Sequence, residues 1–588
     1  MKAIIDILEE RITDAMAAVG GTEDCPAIVR PATDAKFGDY QANGIMALAK
    51  KLKLNPRKLA EQVVGKLDVS DICEPVEIAG PGFINLRLRT DYLAPQLLEI
   101  NADTRERLAI DKIDSPKTIV VDFSSPNIAK QMHVGHLRST IIGDCICRLL
   151  EFAGHKVIRQ NHIGDWGTQF GMLIAYFKLN WLDITKDYSK VEINNLEQFY
   201  RNAKQRFDND TGFADRARSQ VRQLHDRDTE TMRVWKNIVD ESRNHYQPIY
   251  EVLGIDLEQK HERGESFYAD MLANVVEELK NMELGKESDG AICVFPPGFK
   301  NKDGEDLPFI IQKSDGAYLY ATTDLAAIRY RVSELKADKI IYVTDARQKL
   351  HFEMLFAVAR MAKWAEGVEL AHVMFGSVLG ENGKPLKTRS GENVKLKELL
   401  NEAVKRAGSI VQEKNPELSA EKKDQIAKAV GIGAIKYADY SNNRTSDYLF
   451  SFDKMLAMEG NTAPYMQYAY ARIKSIERKA GTKDVDTEKE LEGIKTLHLT
   501  EPAEIDLAKY LIRYGEAIEA AIADYRPNYL TTYLYELAQK FSAFYTNCPV
   551  LKADPDKRPT RLLLCDLTAK TIKHGLENLL GIDVVEQM

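Results

Sequence analysis

The sequence is poor in the features that mark membrane, secreted and zinc-binding proteins. It contains no run of about 18 apolar residues, so we expect no membrane-spanning helix. Its 7 cysteines are scattered and form no Cys-x-x-Cys pair, which argues against a zinc site and against a disulfide framework. The first six residues also lack a signal-peptide pattern. These absences predict a protein of the reducing cytoplasm.

An excess of positive charge is also missing. The 588 residues include 80 Lys and Arg against 88 Asp and Glu, which gives a net charge of −8. This balance excludes a protein that coats nucleic acid indiscriminately, but it permits one that binds a particular RNA through a local basic face. Internal repeats and low-complexity tracts are absent as well. The length predicts about three or four domains.

The segment from Ser125 to His136 carries the strongest functional pattern, Ser-Pro-Asn-Ile-Ala-Lys-Gln-Met-His-Val-Gly-His. It follows an apolar run at residues 118–121 and precedes an amphipathic stretch, which predicts a strand, a tight loop and a helix. His133 and His136 can donate hydrogen bonds to phosphate oxygens, and the helix N-terminus adds unpaired N–H groups. Gly135 has no Cβ, so a base or ribose can lie against the backbone. The pattern predicts a nucleotide site, with ordinary helix capping by histidines as the alternative.

The tetrad at residues 133–136 resembles the "HIGH" signature of class I aminoacyl-tRNA synthetases. The preceding Ser-Pro-Asn-Ile-Ala-Lys, residues 125–130, narrows the resemblance to the arginyl-tRNA synthetase family. The resemblance implies that ATP, L-arginine and a tRNA for arginine give arginyl-tRNA, AMP and diphosphate through an arginyl-adenylate. It further implies Mg²⁺ with the nucleotide, no tightly bound metal, and activation only after the tRNA is bound. We expect a monomer.

The resemblance covers nearly the whole chain and implies an α/β fold, a class I Rossmann-like parallel-sheet core with helical insertions between a small α+β N-terminal domain and an all-α C-terminal bundle. The alternation of apolar strands and helices after residue 117, and the helical pattern after residue 396, point to the same order. The expected N-terminal domain, residues 1–112, binds the tRNA elbow at the D-loop. The expected catalytic domain, residues 113–400, has a helical insertion near 184–250. A helical connection at residues 401–455 then leads to an anticodon-binding bundle at residues 456–588.

The resemblance assigns ATP binding and catalysis to the tetrad and to a basic loop. Many class I enzymes carry Lys-Met-Ser-Lys-Ser over the pyrophosphate, but here the corresponding stretch, residues 383–391, departs from that motif. In arginine enzymes a lysine just before the first histidine is thought to compensate for the altered loop, and Lys130 occupies that position here. The expected catalytic residues are His133, His136, Lys130 and Lys387. The expected ATP contacts are His133, Val134, Gly135, His136, Lys384, Lys387, Thr388 and Arg389.

Arginine as a substrate needs a pocket with carboxylates and planar acceptors, because its guanidinium is planar, always charged and carries five donors. Tyr320 and Asp324 are spaced i, i+4, and a helix predicted to begin near Thr323 puts Asp324 in the first turn, where an acidic residue also suits the helix dipole. The resemblance implies a larger arginine site. Its expected members are Ser125, Pro126, Asn127, His136, Tyr320, Asp324, Gln348, Glu265 and, as a weaker candidate, Asp122.

Both ends of the chain are expected to contact tRNA. Phe83 would stack on a D-loop base and Asn85 would hydrogen-bond to it, as the resemblance implies. In the C-terminal region, aromatic and polar residues suit splayed anticodon bases, although tyrosines at helical spacing are more often part of a core. The expected contacts there are Asn461, Tyr465, Tyr468, Ala471, Arg472 and Met588.

Two alternatives remain open at this point. The first is an enzyme of the same superfamily that activates another amino acid, such as lysine or glutamine. The carboxylate of Asp324, together with Tyr320, disfavours glutamine as the substrate. The second is a non-catalytic tRNA-binding protein derived from a synthetase, which the intact His133, His136 and Gln348 disfavour.

Overall fold

The computed structural model describes residues 2–20, 25–128, 130–181, 196–387, 394–481, 491 and 493–588. Its internal contacts divide the chain into two compact units. The first comprises Met1–Lys112, Met458–Asn578 and Asp583–Met588, and the second comprises Ile113–Ala457 and Leu579–Ile582. Within the described ranges, no helix combines the length and the apolar character needed to cross a bilayer.

A parallel sheet of 4 strands forms the centre of the second unit. The strands are rich in buried Val and Ile, as expected for a sheet covered on both faces. Their carboxyl ends meet at one edge, where α/β sheets bind ligands. The alternating pattern predicted from residue 117 onward is thereby confirmed. The spatial order of the strands is Glu369–Phe375, Lys339–Asp345, Thr118–Asp122 and Lys156–Gln160.

Helices surround this sheet, and short strands flank it. The apolar runs at residues 291–294 and 309–311, which the sequence pattern also predicts as strands, do not join this sheet. They belong to a separate antiparallel sheet with a third strand, in the order Lys286–Ser288, Ala291–Val294 and Phe309–Gln312. A further parallel pair joins Val378–Leu379 to Tyr448–Leu449. The α-helices of this unit are Val134–Ala153, Thr168–Trp181, Leu196–Asn209, Thr211–His225, Thr229–Leu253, Glu265–Tyr268, Leu272–Asn281, Tyr320–Ser333, Lys349–Met361, Leu396–Lys414, Ala420–Tyr440 and Phe452–Met455.

The described part of the stretch predicted as a helical insertion near 184–250 is helical apart from the short connections between its helices. Residues 182–195 lie outside the described part of the chain, and the remainder forms the three helices between Leu196 and Leu253. Asp210 and Asp228 each cap the following helix by accepting a backbone N–H. The charged residues of these helices pair mainly at i, i+4 spacing, as in Arg201–Glu197 and Lys204–Asp208.

The first unit combines an antiparallel sheet with helices from both ends of the chain. The sheet order is Val29–Pro31, Tyr40–Ala42, Phe83–Leu86 and Glu77–Ala79. Buried Tyr40 donates to Glu516 at 2.6 Å, so the N-terminal and C-terminal segments share one core. The α-helices are Ile4–Gly20, Ile45–Leu52, Pro56–Val64, Thr90–Ala102, Ala463–Gly481, Pro502–Leu511, Tyr514–Asp524, Pro527–Asn547 and Arg558–Lys573, followed by the π-helical turn His574–Leu579.

Candidate active site

Two histidine rings close the first turn of the helix Val134–Ala153. Nδ1 of His133 accepts the backbone N–H of Gly135 at 3.0 Å, and Nδ1 of His136 accepts the backbone N–H of His133 at 3.1 Å. Because each Nδ1 is an acceptor, the proton of the neutral ring is on Nε2. The histidines therefore cap the helix with one nitrogen and keep an N–H donor on the other. The capping alternative and the phosphate-binding prediction are compatible.

Both rings are uncharged near neutral pH. Burial lowers the pKa of His136 to about 3, with a further contribution from the neighbouring His133. The pKa of His133 is lowered by burial and by the positive charge of Lys130. The helix N-terminus therefore presents neutral N–H donors, and its positive character comes from the helix dipole and the nearby lysine.

Gly135 has a local structural role beyond the one predicted. A Cβ at this position would lie 2.7 Å from Cε1 and 2.9 Å from Nδ1 of His133. Glycine therefore makes room for the His133 ring to fold back over the first turn. Any larger residue would push that ring away from the backbone N–H that it accepts.

The loop after the strand Thr118–Asp122 turns sharply toward the neighbouring strand. Ser125 has a φ of 46°, in the left-handed region, and its N–H donates to Oδ1 of Asn161 at 3.0 Å. Asn127 forms a backbone bridge with Gly164, and its Nδ2 donates to Gln169 at 2.9 Å. The predicted residues at 125–127 thus lie at the carboxyl edge of the sheet, against the loop that follows the strand Lys156–Gln160.

Asp122 lies against an internal arginine. Its Oδ2 accepts from Arg331 at 2.7 Å and its Oδ1 accepts from Ser125 Oγ at 2.9 Å. Arg331 is fully buried, and its guanidinium lies 5.1 Å from the centre of the Tyr342 ring. The charge of Asp122 therefore already balances a buried guanidinium, which disfavours the predicted role of Asp122 as a weaker candidate for the arginine site.

A group of three carboxylates lies at the same edge of the sheet. Burial and the negative charges of Asp165 and Asp324 together raise the pKa of Glu265 to about 8. Burial also raises the pKa of Asp165, to about 6. A positive group placed among these carboxylates would lower both pKa values again and would gain the corresponding free energy.

Backbone pairing places Glu265 in this group. Asn161 donates its N–H to the carbonyl of His261 at 2.9 Å, and Arg263 donates to the carbonyl of Asn161 at 3.0 Å. Glu265 then donates its N–H to Ile163 at 3.1 Å. The segment before Glu265 therefore extends beside the loop after the strand Lys156–Gln160, although the two are far apart in sequence.

Asp165 is a supporting residue that the sequence did not single out. Its carboxylate accepts from the N–H of Ser266 at 2.9 Å and from Ser266 Oγ at 2.6 Å. A Cβ on Gly264 would lie 2.4 Å from Oδ2 of Asp165, so the chain must be glycine there to approach so closely. The only sequence signal was the run Gly-Asp-Trp-Gly at residues 164–167, which predicts a tight loop but not its partner.

Asp324 belongs to this group from a neighbouring helix, Tyr320–Ser333, and Tyr320 lies one turn before it. The helix begins at Tyr320, so the predicted start near Thr323 is wrong and Asp324 lies beyond the first turn. The helix-dipole explanation for Asp324 is weakened accordingly, since the effect fades after one turn. Burial and the negative charge of Glu265 raise the pKa of Tyr320. Oδ2 of Asp324 lies 2.7 Å from Nε2 of His351, a contact that the sequence did not predict.

Gln348 lies exposed at the same edge of the sheet. It ends the 3-10 turn Ala346–Gln348, which directly follows the strand Lys339–Asp345 and precedes the helix Lys349–Met361. That strand is the neighbour of Thr118–Asp122 in the sheet. Gln348 and Asn127 therefore follow adjacent parallel strands.

The basic loop is described only in part. Lys384 and Lys387 are exposed on a turn closed by Leu386, whose N–H donates to Val378 at 3.2 Å. The predicted ATP contacts Thr388 and Arg389 lie outside the described residues.

The chain leaves this loop beside the histidine tetrad. Val134 donates its N–H to Val394 at 2.9 Å, and Leu396 donates to Met132 at 3.0 Å. Lys130, close before the tetrad, has its Nζ 4.8 Å from the centre of the Tyr200 ring.

The predicted tRNA contacts of the first unit differ in their exposure. Tyr468 is 41% exposed, Phe83 is half-buried, and Asn85 is 6% exposed with its Oδ1 accepting from Gln41 at 2.8 Å. The side chains of Asn85 and Ala471 are buried in the packing of the unit, which disfavours their predicted contact with tRNA. The half-buried members of the set are Asn461, Tyr465, Arg472 and Met588, with Arg472 lying over the ring of Tyr545 at 4.7 Å.

The carboxyl edge thus combines two kinds of recognition chemistry. Neutral imidazole donors at a helix N-terminus, together with nearby lysines, suit the phosphates of a nucleotide. The partly buried carboxylates, together with Tyr320, suit a planar cation. Within the described ranges, no group of three or more His, Cys, Asp or Glu side chains is arranged to hold a metal ion.

Three family models match the chain. "Arginyl tRNA synthetase N terminal domain" matches residues 6–88, "tRNA synthetases class I (R), catalytic domain" matches residues 100–452, and "DALR anticodon binding domain" matches residues 466–588. The second of these spans more than half of the chain.

Individual proteins are similar over the full length. The arginine–tRNA ligase of Nostoc punctiforme is 52% identical over 595 residues, with 100% of each chain covered, and that of Hahella chejuensis is 49% identical over 585 residues, with 99% of each covered. Among solved structures, the arginyl-tRNA synthetase from Plasmodium falciparum has a TM-score of 0.84 at 33% identity, with 100% of both chains covered. The arginyl-tRNA synthetase of Thermus thermophilus has a TM-score of 0.82 at 26% identity, again with 100% of both covered.

Proposed function

Because the chain belongs to the arginyl-tRNA synthetase family, we propose that the carboxyl edge of its parallel sheet carries the family's reaction through the residues described above. The reaction joins ATP, L-arginine and tRNA(Arg) to give L-arginyl-tRNA(Arg), AMP and diphosphate. The observation that carries the assignment of residues is the presence of two neutral Nε2 donors and a group of partly buried carboxylates at the same edge of the sheet.

The histidines act on ATP during the first step. The carboxylate of arginine attacks the α-phosphorus, the bond to the bridging oxygen breaks, and its electron pair leaves with diphosphate. Charge on the phosphoryl oxygens is stabilised by fixed donors rather than by a covalent intermediate. We assign this role to Nε2 of His133 and His136 and to the backbone at Val134 and Gly135. The lysines and the basic loop contact the leaving diphosphate, through Lys130, Lys384, Lys387, Thr388 and Arg389.

The carboxylates select the side chain of arginine. Glu265 and Asp324 hold the guanidinium from two sides, with Tyr320 as a planar wall. A lysine ammonium fits badly, because it is a point charge and cannot fill two carboxylates with parallel N–H groups. The α-amino and carboxylate groups of arginine lie toward the tetrad, held by Ser125, Pro126, Asn127, His136 and Gln348.

The second step transfers arginine to tRNA. The terminal ribose hydroxyl attacks the carbonyl carbon of the adenylate, and AMP leaves with the electron pair of the broken bond. We propose D-loop stacking at Phe83 and anticodon contacts at Asn461, Tyr465, Tyr468, Arg472 and Met588. The tRNA is bound before ATP reacts.

Further properties complete the proposal. Mg²⁺ arrives with ATP, because this ion usually binds enzymes through substrate phosphates and keeps part of its water shell. All 7 cysteines are buried free thiols, which fits work in a reducing cytoplasm. The protein acts as a monomer, which sedimentation of the free and tRNA-bound protein would test. We propose domain boundaries at residues 112, 400 and 455.

The deciding experiment is charging of total tRNA with each labelled amino acid in turn. We expect arginine alone to be attached. Charging with lysine or glutamine would instead indicate an enzyme of the same superfamily that activates another amino acid. Binding of ATP and tRNA without any charging would indicate a non-catalytic tRNA-binding protein. The order of binding is tested by ATP–diphosphate exchange, which we expect only when tRNA is present.

A further inference from the structure

His351, on the helix Lys349–Met361, contacts the carboxylate of Asp324, which lies on the helix Tyr320–Ser333. Its Nε2 lies 2.7 Å from Oδ2 of Asp324, a separation of 27 residues in the chain. A carboxylate accepts hydrogen bonds, so Nε2 of His351 carries the proton and donates. This bond restricts the rotation of the carboxylate, and it leaves Oδ1 and the second lone pair of Oδ2 to accept the paired N–H groups of a ligand.

The ring of His351 is held by its surroundings. It lies in the first turn of the helix Lys349–Met361, with its centre 5.7 Å from the ring of Phe309 and 5.4 Å from that of Phe352. Phe352 in turn packs against His372 at 4.5 Å. An imidazole packed in this way has little rotational freedom, so the donor stays aimed at Asp324.

We propose that His351 is a positioning residue that sets the preference for arginine by fixing the orientation of Asp324. The inference rests on the proposed role of Asp324 in holding the guanidinium. Two parallel N–H groups of a guanidinium need a carboxylate in one fixed plane, whereas an ammonium accepts many orientations. Releasing Asp324 therefore weakens arginine binding more than lysine binding.

The test compares two substitutions of His351 in the full-length protein with saturating tRNA. His351→Met introduces an apolar side chain of similar length and removes the donor. We expect its KM for arginine to rise roughly 10-fold or more, which is the loss of one hydrogen bond to a charged group. We expect kcat at saturating arginine to change less than about threefold, and the ratio of kcat/KM for arginine over lysine to fall by about the same factor as the rise in KM. His351→Gln places an amide donor near the position of Nε2, and we expect it to restore most of both values.

His372→Met is the matched control. His372 packs on the same Phe352 but bonds to Thr344, at 2.8 Å, rather than to Asp324. We expect its KM for arginine and its amino-acid preference to stay at the wild-type values.

Two outcomes would overturn the positioning role. It is wrong if His351→Met leaves both the KM for arginine and the arginine-to-lysine ratio unchanged. It is also wrong if the Gln and Met variants lose activity and thermal stability equally, because a purely structural residue behaves that way. Asp324→Asn distinguishes a wrong role for His351 from a wrong assignment of Asp324 to the arginine site. If that variant also leaves the KM unchanged, Asp324 does not bind arginine at all, whereas a raised KM there removes only the role of His351.

Discussion

The backbone N–H of His133 donates to Nδ1 of His136 at 3.1 Å, so one nitrogen of the His136 ring belongs to the helix cap and the other stays available. The same division holds for His133, whose Nδ1 accepts from Gly135. Stability and catalysis therefore depend on different atoms of the same side chains. Substitutions that mimic one nitrogen but not the other can separate the two functions.

His133→Asn is expected to keep the fold and lose activity. Asparagine is a favoured N-cap residue whose short side chain accepts the same backbone N–H, but it has no donor at the position of Nε2. We expect an unchanged melting temperature within a degree or two and a fall of about 10²–10³-fold in kcat/KM for ATP. His133→Ala is the control, because it loses the cap as well and costs about 1 kcal/mol of stability. The measurement is ATP–diphosphate exchange in the presence of tRNA, and a near-normal rate for the Asn variant would show that Nε2 of His133 is not needed for arginine activation.

Asp122→Asn is expected to damage stability rather than arginine binding. The substitution leaves the guanidinium of Arg331 buried without its counter-charge, and breaking a buried pair in this way costs about 3–5 kcal/mol. Urea unfolding at pH 7 measures that loss. At low temperature, where the variant stays folded, we expect its KM for arginine to match the wild type. A selective rise in KM with normal stability would return Asp122 to the substrate pocket.

The site could be predicted from sequence where the signal is local. Residues 118–136 carry a strand, a loop and a helix start within 19 positions, and the resemblance to the arginyl-tRNA synthetase family that rests on them is confirmed by the full-length relatives. The parallel core followed from the same alternation of short apolar runs and helices. Periodicity reports these features because each depends on neighbours a few residues away.

Partners that are distant in sequence could not be predicted in this way. Asp122 meets Arg331 across 209 positions, and nothing near Asp122 distinguishes a buried ion pair from a substrate contact. In the sequence, His351 is simply one of several polar residues that follow the predicted strand at residues 339–343. Its contact with Asp324 depends on how two helices pack, which a local pattern does not report. The strands Ala291–Val294 and Phe309–Gln312 were recognised, but an apolar run does not state which sheet it joins.

Tyr468→Ala is expected to weaken tRNA binding alone. Tyr468 is 41% exposed, whereas its neighbour Tyr470 is 4% exposed, so only the first is free to stack on a base. Loss of one stacked base costs about 1–3 kcal/mol, which corresponds to a rise of roughly 5- to 150-fold in KM for tRNA. Tyr470→Phe serves as the control and should leave the KM for tRNA unchanged. Equal effects of the two variants would indicate a general disturbance of the helix Ala463–Gly481 rather than a contact.

Glu265 is expected to link arginine binding to pH. Burial and the charges of Asp165 and Asp324 raise its pKa to about 8, so most of the free enzyme carries a protonated Glu265 at pH 7. A bound guanidinium favours the carboxylate and lowers the pKa, so binding at pH 7 releases close to one proton, ~0.9 for a group with a pKa of about 8. Calorimetry in two buffers of different ionisation enthalpy measures that number directly.

The sign of the pH effect follows from the raised pKa. Below about pH 8 each unit of rising pH increases the fraction of ionised Glu265, so we expect the KM for arginine to fall up to about tenfold per unit and to level off above pH 8. Without arginine the same group stabilises the fold at low pH and loses that contribution as pH rises through its pKa. The thermal shift produced by arginine should therefore be larger at pH 8.5 than at pH 6. Glu265→Gln removes the titrating group, so its KM should be higher and nearly flat between pH 6 and 8.5. A wild-type KM that is already flat over this range would mean that Glu265 does not meet the guanidinium.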